Sequence, residues 1–149
     1  MTKAQEVVIA LICSEVTQDT PQVPTDINWE EVLGVATSQG VFGLCADALQ
    51  RMPREQRPGK SLLMKWIGQV GFMENCYQKH KELIKKLARF YADNGIRLMV
   101  LKGYGLSLLW PNPKHRPVGD IDTYNFGLHV LADKIMHEKL GIPIENNHH

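Results

Sequence analysis

Two carboxylates separated by one residue are the part of this sequence best suited to chemistry. Asp120 and Asp122 lie in the run Gly119-Asp120-Ile121-Asp122. On a β-strand, residues two apart point to the same face, so both carboxylates would project together while Ile121 turns into the core. Neighbouring carboxylates repel each other, and a divalent cation relieves that repulsion while gaining hard oxygen ligands. The pair therefore indicates a metal site.

Residues on either side of a predicted turn could hold phosphate groups beside that metal. Asp-x-Asp alone is weak evidence, because the chain has 16 Asp and Glu residues and such pairs also occur in turns and solvated edges. Here a predicted strand runs into Leu101-Lys102-Gly103, where a glycine lets backbone amides approach a phosphate closely. Lys102 adds a mobile positive charge, and Arg116 could pair with phosphate oxygens in a fork geometry.

The hydrophobic pattern after residue 95 predicts the elements that would position these groups. Apolar and other residues alternate over 96–101, which predicts a strand that ends at Lys102-Gly103. Tyr104 to Leu109 can form a short helical turn. Residues 118–126 predict a second strand carrying the acid pair, and residues 128–140 have helical spacing.

The first 94 residues have the spacing of helices. Thr2 with Gln5 resembles a capping box and begins a helix to about Glu15, and Asn28 caps a second helix that Gly40 ends. Further helices are predicted around Leu44 to Met52 and over Ser61–Asp93, the latter as one long helix or two in line, ended by Asn94-Gly95. The predicted core centres on Trp29, Phe42, Leu49, Trp66, Phe72 and Leu87.

Composition limits the classes of protein that this chain can be. It has 149 residues, of which 44% are hydrophobic, enough to bury a core. The formal net charge of +1 predicts neither a polyanion binder nor a strongly acidic surface. No apolar run approaches the ~20 residues needed to cross a bilayer, and no signal peptide is evident. The three cysteines have no C-x-x-C spacing, which predicts free thiols and a cytoplasmic location.

The order of motifs resembles one protein family. The likeness extends from Val100 to about Phe126 and is to a bacterial family of uncharacterised nucleotidyltransferases, within the polymerase-β-like superfamily. The segments that carry it are, in chain order, Leu101-Lys102-Gly103, Leu106, Trp110-Pro111-Asn112-Pro113, Arg116-Pro117 and Gly119-Asp120-Ile121-Asp122.

The resemblance implies a metal-dependent transfer of a nucleoside monophosphate from an NTP to an unidentified acceptor. Asp120 and Asp122 would be the catalytic acids and would hold Mg²⁺. Most of the catalysis in such a transfer comes from positioning and charge neutralisation, so few residues can define the site. The nucleotide-binding residues implied are Lys102, Gly103, Ser107, Arg116 and Gly119.

This sequence departs from the pattern of the superfamily at several positions. The usual Gly-Ser is Gly103-Tyr104 here, so Ser107 would have to supply the hydroxyl, although it could equally cap a helix or face solvent. Thr123 to Phe126 is more polar than the apolar strand usual there. A third carboxylate generally comes from a later strand, and neither Asp133, predicted to face water, nor Glu145 has support for that role.

We expect an α+β chain with two parts. A helical N-terminal region over 1–94 precedes an incomplete polymerase-β-like nucleotidyltransferase core over 95–149, with a small sheet and flanking helices, in what we expect to be a truncated protein. His148-His149 is expected to be a disordered tail. An exposed sheet edge could promote a homodimer.

Two other functions stay open from the sequence. The chain could be a catalytically inactive nucleotidyltransferase-like protein that acts as a protein-interaction module, which the missing third carboxylate favours. It could also be a helical interaction module in which Asp-x-Asp is incidental. A nucleic-acid acceptor is disfavoured by the charge balance, although the basic helix over 79–89 leaves it open. No membrane partner is expected.

Overall fold

Helices dominate the computed structural model, which describes residues 1–144. In this range the chain is an α+β protein with six α-helices and one two-stranded antiparallel sheet. Short 3₁₀ turns cover Arg54–Gln56 and Pro113–His115. The helices and strands are α1 (Lys3–Thr17), α2 (Trp29–Ser38), α3 (Phe42–Leu49), α4 (Lys60–Asp93), β1 (Met99–Val100), α5 (Lys102–Ser107), β2 (Thr123–Tyr124) and α6 (His129–Leu140).

Side-chain caps begin the first two helices where the sequence predicts them. The Thr2 side chain accepts from the Gln5 N–H while the Thr2 N–H donates to the Gln5 side chain, so the predicted capping box is confirmed. The Asn28 side chain accepts hydrogen bonds from the N–H groups of Glu30 and Glu31, which satisfies donors that a helix leaves unpaired at its start.

The long helix α4 is continuous over 34 residues. It ends where the sequence predicts, because Gly95 adopts a φ of +71° that other residues rarely adopt. Its buried positions are Trp66, Met73, Tyr77, Ile84 and Tyr91, which follow each other at steps of four and seven residues. Such steps return to the same face of a helix, so α4 buries one stripe along its whole length.

The main core lies among α1, α2, α3 and the first half of α4. The prediction that Leu49 and Trp66 are buried is confirmed, and Trp29 and Phe42 are partly buried against the same cluster. The prediction for Phe72 is wrong, because this side chain is 72% exposed. Phe72 lies one residue before the buried Met73, off the stripe that α4 turns toward its neighbours.

A second, smaller core links the end of α4 to the C-terminal part. Tyr91, Ile96 and Ala132 form its buried centre. Ile135 and Met136, in the segment with predicted helical spacing, pack against this centre, whereas Leu128 and Leu131 are exposed. The side chains that pack around this centre are Leu87, Phe90, Leu98, Ile135 and Met136. Helix α4 therefore contributes to both cores.

The strands are shorter than the alternation predicts. Pairing is limited to Met99 opposite Tyr124 and Val100 opposite Thr123, followed by one further bond from the Leu101 N–H to the Asp122 carbonyl. The prediction that the acid pair lies on a strand is therefore wrong: both acids precede β2. The physical reason is that the chain turns away from the sheet immediately after Leu101, which leaves the residues before Asp122 without a neighbouring strand.

Several sequence predictions lie beyond what the described residues test. The division of the chain at residue 94 stays a prediction. Glu145 and His148-His149 lie outside the described residues. Across residues 1–144, no helix combines the length and the hydrophobicity that crossing a membrane requires.

Replacing a leucine at the centre of the main core should destabilise the chain. Leu11 is fully buried, so Leu11→Ala removes apolar contacts and leaves a cavity, and we expect a loss of about 2–5 kcal/mol in the free energy of unfolding measured with urea. The matched control is Leu109→Ala, at a side chain that is 82% exposed, with an expected change within about 0.5 kcal/mol. Equal losses for the two variants would contradict this assignment of the core.

Candidate functional site

A sharp backbone turn follows β1 and faces the acid pair. Lys102 has a φ of +34°, and Gly103 has φ 7° and ψ −97°, which is not helical. The turn is held from one side by the 2.8 Å hydrogen bond from the Leu101 N–H to the Asp122 carbonyl oxygen. This bond places the start of the turn directly opposite the second acid.

The turn also approaches the first acid closely. A Cβ atom on Gly103 would lie 3.4 Å from the main-chain oxygen of Asp120. The Lys102 Nζ lies 3.5 Å from Asp122 Oδ1, and the two side chains are 74% and 38% exposed. An ion pair this exposed contributes little stability, because water and salt screen it. The Lys102 ammonium group can therefore leave the Asp122 carboxylate and pair with another anion.

Arg116 joins the turn to the loop that precedes the acids. Its Nη1 donates to the Gly103 carbonyl oxygen at 2.8 Å and to the Pro117 carbonyl oxygen at 3.2 Å. The guanidinium carbon lies 5.8 Å from the centre of the Trp110 ring, within the range of a cation–π contact. Both hydrogen bonds use the same nitrogen, and a guanidinium has further N–H groups that can reach a phosphate.

Ser107 is the predicted site residue that the structure separates from the others. It is fully buried, and its hydroxyl donates to the Tyr104 carbonyl oxygen at 2.6 Å. Its Oγ also lies 3.2 Å from the Tyr77 hydroxyl of α4, and the rings of Tyr77 and Tyr104 stack with centres 5.3 Å apart. Burial, with a smaller effect of Tyr77, raises the pKa of Tyr104. Ser107 therefore holds α5 on α4, and its buried hydroxyl is not part of the exposed surface at the acids.

A buried histidine anchors the loop before the acids to the helices. His115 Nδ1 lies 2.5 Å from Asp47 Oδ2 of α3, and its Nε2 lies 3.3 Å from Glu74 Oε1 of α4. The hydrogen bond to Asp47 is the main cause of a raised pKa at His115, which burial partly opposes. Gly43 of α3 lets the loop approach, because a Cβ there would lie 2.5 Å from the His115 carbonyl oxygen.

The positions of His80 and His115 in the sequence have no ligand spacing and indicate no special role. In the structure, His115 pairs with acids from two helices, and His80 of α4 contacts the carbonyl oxygen of Gly119, next to Asp120. These partners are separated by about 40 residues or more along the chain. Local spacing contains no signal for contacts of that range, so the sequence could not have identified them.

The donor atoms at the acid pair suit a magnesium ion that arrives with its substrate. Among residues 1–144, no group of three or more His, Cys, Asp or Glu side chains is arranged to hold a metal. Mg²⁺ is usually bound by one or two carboxylates together with substrate phosphates and water. Asp120 and Asp122 fit that use, whereas a site built from protein ligands alone would need more donors.

The acid pair lies at the surface of the protein. A cavity of about 390 Å³ is lined by residues of α3, α4, the connection between them and the His115 loop. The lining includes Asp47, Trp66 and Glu74 but neither Asp120 nor Asp122. Asp120 is exposed and Asp122 half-buried. An open surface of this kind suits a large, strongly charged ligand such as a triphosphate, because such a ligand keeps part of its hydration.

Comparison with known proteins gives one match. A family model described as "Uncharacterised nucleotidyltransferase" matches residues 25–125, which is more than half of the 149-residue chain. The matched range runs from just before α2 to just after β2, so it includes most of the helical part as well as the turn and the acid pair. Searches of curated proteins and of solved structures found no match.

The close contact between α5 and the end of β1 should require a glycine. A Cβ atom at Gly105 would lie 2.8 Å from the Val100 carbonyl oxygen, so Gly105→Ala forces backbone apart, and we expect a loss of about 1–3 kcal/mol in the free energy of unfolding. The matched control is Gly68→Ala in α4, where the new Cβ meets open space and a gain of about 0.4–1 kcal/mol is expected. Urea unfolding of both variants checks this, and a Gly105→Ala chain as stable as wild type would contradict it.

Stability should depend on pH through His115. Because the folded chain raises the pKa of His115, the protonated ring stabilises the fold. This stabilisation is fully present below the unfolded pKa of about 6.5 and is lost as pH rises through the higher folded pKa. We expect the stability advantage of wild type over His115→Gln, measured by urea unfolding between about pH 5.5 and about pH 8.5, to shrink over that window.

The control for this pH dependence is His129→Gln, at an exposed histidine at the start of α6. Its stability should follow that of wild type at every pH. A constant difference between wild type and His115→Gln across the window would contradict the assigned ion pair.

Proposed function

The chain belongs to the uncharacterised nucleotidyltransferase family, and from this premise we propose that it binds an NTP with Mg²⁺ at Asp120 and Asp122 and transfers the nucleoside monophosphate to an acceptor. The observation that carries the proposal is the contact between the Lys102-Gly103 turn and the backbone of the acid pair. In this contact the Lys102 ammonium lies beside the Asp122 carboxylate, and Gly103 lies beside the main chain of Asp120, which supports the proposal.

Each group in this proposal has a role that its chemistry allows. The two carboxylates supply hard oxygen ligands for Mg²⁺, which would neutralise phosphate charge as the transfer proceeds. Lys102 is held only by a weak, exposed ion pair to Asp122, so its ammonium group would be available to pair with a phosphate oxygen. The backbone at Gly103 and Gly119 carries no side chain that would keep a triphosphate away.

The proposed reaction is a displacement at the α-phosphorus of the NTP. A bond forms between that phosphorus and a nucleophilic atom of the acceptor. The bond between the α-phosphorus and the oxygen that bridges it to the β-phosphorus breaks, and pyrophosphate leaves. Catalysis of this type depends mainly on position and charge, so the chain contributes by orienting the triphosphate between Lys102 and the acids. Arg116 supports the same geometry, because it holds the Gly103 carbonyl and has further N–H groups for phosphate.

The acceptor stays unidentified, and three further points about acceptor, location and assembly stay as the sequence predicts them. A formal net charge of +1 disfavours a nucleic-acid acceptor. The cytoplasmic location and a homodimer through a sheet edge stay predictions.

Removing the charge of both acids should abolish magnesium-dependent nucleotide binding. We expect wild type to bind at least one of ATP, GTP, CTP and UTP in MgCl₂, measured by isothermal titration calorimetry, and to lose that binding in EDTA. The double variant Asp120→Asn with Asp122→Asn should weaken nucleotide binding on the order of tenfold or more. Even mutation of a residue that only hydrogen-bonds to a metal ligand typically lowers metal affinity about 10–100-fold.

The matched control is Asp133→Asn, which removes the same charge from an exposed position on α6. It should bind nucleotide as wild type does. Equal affinity of the double variant and wild type would overturn the proposed site. Absence of nucleotide binding by wild type would favour the alternative of a catalytically inactive protein-interaction module.

A further inference from the structure

His80 reaches from the long helix α4 to the segment that carries the acids. Its Nε2 contacts the carbonyl oxygen of Gly119, the residue immediately before Asp120. Its Nδ1 lies 2.9 Å from the carbonyl oxygen of Cys76, one turn earlier in α4. A carbonyl oxygen only accepts, so the Gly119 contact is a hydrogen bond in the tautomer that carries its proton on Nε2. In that tautomer Nδ1 has no proton to donate, and its position beside Cys76 gives only the orientation of the ring along α4.

The acid segment has few backbone hydrogen bonds that fix its direction. Residues 118–122 lie outside regular secondary structure, and Asp120 is exposed. A Cβ atom added at Gly119 would meet nothing within 4 Å, so the residue is open on that side. The described backbone anchors are the His80 contact at Gly119 and the Leu101 bond at Asp122. Asp120 therefore lies between two hydrogen-bonded points, one on each side.

We propose that His80 is a positioning residue that presets the direction of Asp120 and Asp122 for a metal-bound triphosphate. The proposal rests on the function proposed above for the acid pair. A binding group is effective only when its geometry is held within about 0.5 Å, and a segment already fixed loses less conformational entropy when ligand binds. Because His80 is on α4, the helical part of the chain sets the geometry of the site.

Other contacts agree with His80 positioning the acid segment and not touching the metal or the phosphate itself. Both ring nitrogens of His80 face main-chain carbonyl oxygens, so neither is left to coordinate a metal or to contact a phosphate. Helix α4 is also anchored to the same loop through Glu74 and His115. The loop from His115 to Gly119 thus follows one helix at two points that lie 6 residues apart on α4, between Glu74 and His80.

The test compares three single variants of the full chain. His80→Ala removes the donor while keeping a strong helix former. His80→Gln keeps an amide N–H at a similar reach. His137→Ala is the matched control, because His137 of α6 also contacts a carbonyl oxygen, that of Ile142 at 3.2 Å, in a part of the chain without acids of the site.

The first readout needs no nucleotide. Backbone ¹⁵N relaxation should give order parameters near 0.85 for residues 119–122 in wild type, His80→Gln and His137→Ala, and values that fall toward about 0.6 in His80→Ala alone. Unchanged order parameters in His80→Ala, with the chain folded, would overturn the proposal. If His80→Ala does not fold, low order parameters confined to residues 119–122 in His80→Met support the proposal and wild-type values overturn it.

The second readout is affinity for ATP in MgCl₂. His80→Ala should bind roughly threefold to tenfold more weakly, while His80→Gln and His137→Ala bind as wild type does. A purely structural role would lower the melting temperature and leave affinity unchanged at temperatures where the chain is folded, which would overturn the proposal. Failure of the proposed function differs from this result, because wild type itself would then not bind ATP.

Discussion

A single backbone hydrogen bond, from the Leu101 N–H to the Asp122 carbonyl oxygen, brings the two halves of the proposed site together. It extends a sheet that pairs only two residues on each strand. Together with the two strand pairs beside it, this bond closes the long connection between the Lys102-Gly103 turn and the acids, which costs conformational entropy. So short a sheet is marginal by itself, and the loop it closes must be fixed by other contacts.

Those contacts come mainly from the helical part. Glu74, Tyr77 and His80 of α4 contact the His115 ring, the Ser107 hydroxyl and the Gly119 carbonyl in turn. They are spaced three residues apart, so they line one side of the helix. Because α4 also buries its stripe in both cores, it connects those cores to the loop. In this view, the helices are a scaffold for the surface that would bind nucleotide.

The sequence predicts what depends on local chemistry. Thr2 and Asn28 cap helices where their types indicate, and Gly95 ends α4, because caps and left-handed glycines act within a few residues. The lengths of the strands are not predictable in this way, since residues 118–122 alternate suitably but have no strand to pair with. Phe72 shows the same limit for helices: its residue type suits a core, and only its angle on α4 exposes it.

The features of the candidate site also differ in whether the sequence alone identifies them. The Asp-x-Asp pair and the Lys-Gly turn were identifiable from order and residue type, whereas the contacts of His80 and His115 depend on tertiary structure. The resemblance implies that the Ser107 hydroxyl contacts nucleotide, and the spacing of the sequence does not show that this side chain is buried beside Tyr77.

The most direct test of the account is to locate a bound metal by paramagnetic NMR, with Mn²⁺ replacing Mg²⁺ in the presence of ATP. Mn²⁺ broadens the NMR signals of nearby amide groups, and this broadening falls steeply with the distance between the amide and the ion. The amides whose signals broaden therefore map the metal site. We predict that signals of Lys102, Gly103 and residues 119–123 broaden first, while those of α1 and α2 stay sharp. Selective broadening centred elsewhere, for example at the Asp47 and Glu74 pair beside His115, would contradict the assignment of the acid pair as the metal and nucleotide site.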